Sequence, residues 1–156
     1  MATRPLAILG SNGYVGSAFT ALLRRENIPF VTLSRHDAAD SERLRVTLDR
    51  AKVVFLINAA GFTGKPNVDA CESRKADCLL GNAVLPGIIR KACEAIELPW
   101  GHVSSGCIYT GRRTDEKGFS EDDPPNFSFR HENCSFYSGT KALGEEVLSD
   151  APLCYV

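Results

Sequence analysis

No stretch of this sequence approaches the ~20 consecutive apolar residues that cross a bilayer. The opening Met1-Ala2-Thr3-Arg4-Pro5 lacks the charged, then apolar, then small-residue order of a signal peptide. The expected location is therefore the cytoplasm, with no membrane partner. An excess of charge of either sign is also missing: 18 Lys and Arg stand against 19 Asp and Glu, for a net charge of −1. That balance argues against a nucleic-acid partner, which a basic surface would serve. None of the six cysteines (Cys71, Cys78, Cys93, Cys107, Cys134, Cys154) pairs as C-x-x-C, and no His falls at ligand spacing. A zinc site or a disulfide framework is not expected. Reduced, mostly buried thiols are the default in a cytosolic chain. Asn126-Phe127-Ser128 and Asn133-Cys134-Ser135 match the glycosylation pattern but carry no meaning without secretion. What remains is 156 residues of ordinary globular composition, read as one domain, 1–156.

Leu6-Ala7-Ile8-Leu9 is a short apolar run of the kind found in buried parallel strands. It ends at Gly10-Ser11-Asn12-Gly13-Tyr14-Val15-Gly16. Beyond this turn, Val15, Ala18, Phe19, Leu22 and Leu23 recur at helix spacing to about Glu26. A glycine-rich turn between a strand and a helix lets the backbone pass close to a pyrophosphate, and the helix start supplies free N–H groups. Gly10, Asn12, Gly13, Tyr14, Val15 and Gly16 are the candidate cradle. A second strand, Phe30 to Leu33, ends in Ser34-Arg35. In dinucleotide-binding folds an acid at this point accepts hydrogen bonds from the adenosine ribose. Here no acid follows the strand directly, and Arg35 can pair with the extra phosphate of NADP. The expected cofactor is NADP(H).

Ser41 to Arg50 reads as a helix capped by Ser41 or Asp40. Val53 to Ile57 reads as a third strand, ending in Asn58-Ala59-Ala60-Gly61. Ala59, Ala60 and Gly61 are small enough to let a cofactor lie against the strand end. Asp69 to Ile96 reads as a long helical region. Within it Pro86 cannot donate to the Asn82 carbonyl, which would free that oxygen for water. Cys71 and Cys78, seven apart, read as core. Trp100 to Val103 is strand-like and leads into Ser104-Ser105-Gly106-Cys107-Ile108-Tyr109. Gly111 to Asn133 is polar and irregular, the character of a loop that shapes access to a site. Leu153 to Val156 looks like the start of a further strand.

Phe136-Tyr137-Ser138-Gly139-Thr140-Lys141 places a phenol and an ammonium four residues apart, on one helix face. A neighbouring ammonium favours the phenolate, so the pair could exchange protons near neutral pH.

The glycine spacing G-x-x-G-x-x-G, Asn58-Ala59-Ala60-Gly61, Ser105 and Tyr137 with Lys141 recur in the order of the extended short-chain dehydrogenase/reductases, and the chain resembles that family over almost its whole length. The resemblance implies an α/β fold, a Rossmann-like doubly wound parallel sheet, lacking the C-terminal substrate domain of longer members. It also implies that Ser105 orients a substrate carbonyl and that Asn82 holds a water of a proton relay. It places Asp37 near the adenine. Gly106-Cys107 after the orienting hydroxyl departs from the Asp-Glu of nucleotide-sugar 4,6-dehydratases. Together with the stretch Gly61 to Ser73, it is similar to nucleotide-sugar 3,5-epimerase/4-reductases of the UDP-4-keto-6-deoxyglucose and dTDP-4-dehydrorhamnose groups. In that family setting Cys107 would move a proton, Tyr137 would give one, and Lys141 would hold the cofactor ribose. The implied substrate is a 4-keto-6-deoxy nucleotide sugar of rhamnose-type biosynthesis. The alternative is a non-catalytic NADP-binding or regulatory subunit. The absent substrate part would leave an exposed sheet edge, a possible route to a homo-oligomer.

Overall fold

The computed structural model describes residues 4–120 and 122–156; Met1, Ala2 and Thr3, on which the signal-peptide reading partly rests, and Glu121 of the long loop lie outside them. The apolar run Leu6–Leu9 is β1, and it is central. It pairs in parallel with β2 (Phe30–Leu33) on one side and β3 (Phe55–Asn58) on the other. Beyond β3 come β4 (Trp100–His102) and β5 (Cys154–Tyr155), also parallel. The order is β2-β1-β3-β4-β5. The chain leaves β1 toward one edge, then crosses back and builds toward the other. The strand order therefore reverses between β1 and β3, and a crevice opens there at the strands' carboxyl ends.

The connections are helical: α1 (Tyr14–Arg25), α2 (Ser41–Arg50), α3 (Lys75–Leu79), α4 (Leu85–Glu94) and α5 (Phe136–Leu148). Asp40 caps α2, its Oδ1 accepting from the Arg43 N–H at 2.8 Å. The third strand starts at Phe55 rather than Val53. Val53 is spent closing α2, its N–H donating to Leu48, and Val54 donates to Pro5. The long helical region is not one helix. It begins as a 3-10 turn (Val68–Glu72), continues as α3, and widens into a π-helical turn (Leu80–Val84) before α4. Pro86 stands just past that wide turn, at the start of α4, where its missing N–H matters least.

Alternation along the strands divides the sheet. Ala7, Leu9, Leu56 and Trp100 point into the main core, where they meet Leu44 and Leu48 of α2, Ile89, Ala92 and Cys93 of α4, and Leu148 of α5. The other face is covered less completely. α1 packs against β1 there and buries Leu23. Phe55 and Ile57 of β3 are only half-buried, and Tyr155, whose ring meets Phe55, is 68% exposed.

Candidate active site

The glycine turn is built by backbone contact. Gly10 has φ +84°, and a Cβ there would stand 2.5 Å from the Ala60 nitrogen. A Cβ on Gly16 would stand 2.1 Å from the Gly10 oxygen. These positions let β1, the turn after β3 and the start of α1 close on one another. The Gly13 N–H donates to Gly10, and no side chain caps the start of α1. Tyr14 projects almost fully into solvent, at 96% exposure. A helix start with no capping side chain and no acid in its first turn is a ready anion site.

A cavity of about 380 Å³ opens at the switch point, lined by Leu9, Arg35, Ala60, Gly61, Leu80 and Leu85 among others. Arg35 is exposed at this cavity. Ser34 and Asp37 lie elsewhere, with Ser11 and Asn12 along a separate polar groove. There the Ser34 N–H and hydroxyl both donate to Asp37 Oδ2, at 2.7 and 2.6 Å. Those two bonds hold the Asp37 carboxyl below its ordinary range. Asp37 thus braces the turn after β2. The end of β2 contributes to two recesses, one cationic through Arg35 and one hydroxyl-rich. Together with the open helix start, they fit an elongated dinucleotide.

At the carboxyl end of β4 the chain passes along α5. Lys141, only 4% exposed, donates from Nζ to the Val103 carbonyl at 3.0 Å. The Ser104 hydroxyl donates to Glu145. The Ser105 hydroxyl lies near enough to the Tyr137 phenol to lower its pKa. Ser104 is therefore committed to Glu145, and Ser105 is the serine that faces Tyr137. Ser105 also caps a 3-10 turn, accepting from the Cys107 N–H, which leaves Cys107 exposed close to the phenol.

Electrostatics depart from the simple pairing expected of Tyr137 and Lys141. Burial is the strongest influence on the phenol and pushes its pKa up, with the Ser105 hydrogen bond opposing. Burial pushes Lys141 down, with Glu145 opposing. The ammonium is drawn toward the Val103 carbonyl, so in this arrangement the hydroxyl of Ser105 is what eases the phenol's ionisation. A phenol and a hydroxyl converging on one point can hold an oxyanion and deliver a proton to it.

Asn82 lies in the π-helical turn, and its side chain is fully engaged. Oδ1 accepts from the Phe62 N–H at 2.8 Å, while Nδ2 donates to the Phe62 carbonyl at 2.9 Å. The amide also reaches Cys78 and the Thr140 hydroxyl. It thus ties the turn after β3 to α5, and its own carbonyl faces Gly144. Cys71 and Cys78 are buried beneath Tyr137, as core thiols. Burial raises the Cys71 thiol well above its ordinary range.

Two features have only faint sequence signals. Asn58 and His102 are buried partners, with Asn58 Nδ2 donating to His102 Nδ1 at 2.8 Å and Asn58 Oδ1 accepting from the Ala60 N–H at 3.1 Å. This fixes the backbone of the Ala59–Gly61 turn. The signal was a polar residue at the end of each of two apolar strands. Glu145 stands four residues past Lys141 on the stripe that carries Tyr137, a position that spacing alone could have flagged.

The loop 111–133 is anchored against this region. Asn126 exchanges two hydrogen bonds with the Thr110 backbone, and Tyr109 donates to the Asp123 carbonyl at 2.7 Å. The Phe129 ring lies so close over Gly139 that a Cβ there would be 2.2 Å from it. Among the described residues no cluster of His, Cys, Asp or Glu could hold a metal, and no helix is long and apolar enough to cross a membrane.

Residues 4–156 match the protein family described as RmlD substrate binding domain. The trifunctional UDP-glucose 4,6-dehydratase/UDP-4-keto-6-deoxy-D-glucose 3,5-epimerase/UDP-4-keto-L-rhamnose-reductase of Arabidopsis thaliana is 32% identical over 147 residues, covering 92% of this chain and 21% of that protein. The bifunctional dTDP-4-dehydrorhamnose 3,5-epimerase/dTDP-4-dehydrorhamnose reductase of the same plant is also 32% identical over 147 residues, covering 92% of this chain and 47% of its own length. The crystal structure of dTDP-4-dehydrorhamnose reductase from Bacillus anthracis str. Ames in complex with NADP superposes with a TM-score of 0.80 at 18% identity, over 99% of this chain and 52% of that one. This last likeness shows a shared fold. The chain spans about a fifth of the first relative and about half of the other two.

Proposed function

This chain belongs to the RmlD substrate binding domain family, and on that footing we propose that it binds NADP(H) and carries the proton-transfer residues for reducing a 4-keto-6-deoxy nucleotide sugar. The observation that carries this reading is the convergence of the Ser105 hydroxyl on the buried Tyr137 phenol, with Lys141 buried one helical turn further on.

The glycine turn Gly10–Gly16, with the backbone of Asn12, Tyr14 and Val15, holds the pyrophosphate. Ala59, Ala60 and Gly61 leave room for the cofactor to lie across the strand ends. Arg35 pairs with the 2′-phosphate, where a carboxylate would repel it. A bound nicotinamide cofactor supplies hydride to carbon 4 of the sugar. Ser105 and Tyr137 donate to the ketone oxygen, and Tyr137 gives its proton as that oxygen becomes a hydroxyl. Lys141 holds the nicotinamide ribose and adds positive potential. Where epimerisation accompanies reduction, the C4 ketone acidifies the hydrogens on carbons 3 and 5. Ser105 and Tyr137 then steady the enolate while Cys107 moves a proton. Asn82 braces the site through its side chain, so any water-holding role falls to its backbone carbonyl. The loop 111–133 borders access for the sugar.

The test is NADPH oxidation with 4-keto-6-deoxy nucleotide sugars, run beside Tyr137→Phe. The expected result is turnover by the parent and a loss on the order of 10²–10⁴-fold in the variant, with NADPH binding retained. NADPH binding without any parental turnover would refute the reductive reading and favour a non-catalytic NADP-binding subunit.

A further inference from the structure

Three consecutive residues grip one stripe of α5. The Val103 carbonyl takes Lys141, the Ser104 hydroxyl takes Glu145, and the Ser105 hydroxyl faces Tyr137. Residues 137, 141 and 145 are spaced by four, so they stack along a single helix face. Ser105 is extended, at φ −153° and ψ 135°. Ser104 and Ser105 are adjacent, so holding Ser104 against Glu145 also fixes the backbone from which the Ser105 hydroxyl reaches Tyr137.

Glu145 has a second relationship, to Lys141. A buried ammonium needs compensation. Lys141 donates one hydrogen bond to a carbonyl, that of Val103, and among the described residues no carboxylate forms an ion pair with it. The titratable groups that act on it are Glu145 on α5, Cys78 on α3, and His102 on β4. His102 accepts from Asn58 and is neutral, so it adds no like charge beside the ammonium. Glu145 supplies the principal charge that favours the protonated amine.

We propose that Glu145 is a positioning residue of this site, acting on Tyr137 through Ser104 and Ser105 and on Lys141 through its charge. The proposal builds on the reductase reading, but its test does not need turnover. Glu145→Gln keeps an acceptor for Ser104 and removes the charge. Ser104→Ala keeps the charge and removes the bond. Titration of Lys141 by NMR of lysine labelled at Cε, and of Tyr137 by phenolate absorbance with Tyr137→Phe as the blank, reads the two links separately. In Glu145→Gln, Lys141 should lose its proton at lower pH than in the parent, and Glu145→Asp should restore it toward the parent value. In Ser104→Ala, the Tyr137 phenol should titrate at higher pH, because Ser105 no longer favours the phenolate. Unmoved titrations in folded variants overturn the proposal. Where the parent turns over, either variant should lower kcat on the order of tenfold with little change in KM for NADPH. Absence of parental turnover counts against the reductase reading alone, and the titrations still decide the role of Glu145.

Discussion

Asn58 Nδ2 donates to His102 Nδ1 at 2.8 Å, and both side chains are buried at the carboxyl ends of neighbouring strands. The bond requires an unprotonated Nδ1. Burial, then the Lys141 charge, lowers the His102 pKa from 6.5 to about 3. The folded state thus keeps this imidazole neutral through an interval in which the unfolded chain protonates it. Between pH 6.5 and about 3, the unfolded state binds the extra proton. The His102 contribution to stability is present above pH 6.5 and is lost as pH falls, at up to about 1.4 kcal/mol per pH unit in that window. Urea midpoints measured across it should fall less steeply for His102→Gln, which has no proton to gain. Equal slopes would show that other groups dominate.

On the proposed reading, Arg35 separates the two nicotinamide cofactors. Loss of one charge-assisted pair costs about 1.5–3 kcal/mol, roughly 10–100-fold in affinity. Arg35→Ala should weaken NADPH binding by that factor and leave NADH nearly unaffected, as read by fluorescence titration. A parent that binds both cofactors equally would contradict the assignment.

Cys107 separates the two chemistries of the proposed reaction. With Cys107→Ala, uptake of solvent deuterium at carbons 3 and 5 should drop by on the order of 10²-fold, the usual scale for one acid-base group. Reduction of an already epimerised 4-keto sugar should change by only a few-fold, since Ser105, Tyr137 and Lys141 are untouched. Mass spectrometry of products formed in heavy water measures the first effect and NADPH oxidation the second.

Gly144 sets the distance between α5 and the π-helical turn. A Cβ there would lie 2.2 Å from the Asn82 carbonyl oxygen, a contact of backbone with side chain that no rotamer can relieve. Alanine ordinarily gains about 1 kcal/mol over glycine inside a helix. Here overpacking should outweigh that gain and lower stability by about 1–3 kcal/mol net. Denaturant unfolding of Gly144→Ala gives the sign directly.

Much of this arrangement was legible because it is local. The glycine turn, the Asn-Ala-Ala-Gly strand end and the Tyr137–Lys141 spacing each depend on a few adjacent residues, and the sheet follows from short apolar runs separated by helical periods. Contacts between distant residues were not legible. Asn58 meets His102 across 44 positions and Ser104 meets Glu145 across 41. The widened turn at Leu80–Val84 escaped because Pro86 signals only a lost donor to the Asn82 carbonyl, whereas one wide turn absorbs the irregularity and leaves the helices continuous. The influence of Lys141 on Tyr137 was overestimated because four-residue spacing says nothing of burial or of where an ammonium finds a carbonyl. Phe55 and Ile57 are as apolar as the residues of a strand covered on both faces, yet they are half-buried. Apolarity alone does not reveal how many helices cover a face.

The grip of residues 103–105 on α5 also sets an order of events during synthesis. The cradle, β1 to β4 and the helices up to α4 leave the ribosome before Tyr137, Lys141 and Glu145 do, and domains organise from the N-terminal side during translation. The contacts of residues 103–105 all require α5 in one register, reached across the long intervening loop. On the proposed reading, a nascent chain would thus be able to sequester a dinucleotide before it owned a proton donor. A captured ligand bridging β1, β3 and the start of α1 would hold ready the surface on which α5 lands. Cofactor supply would then act on maturation of the polypeptide as well as on its chemistry.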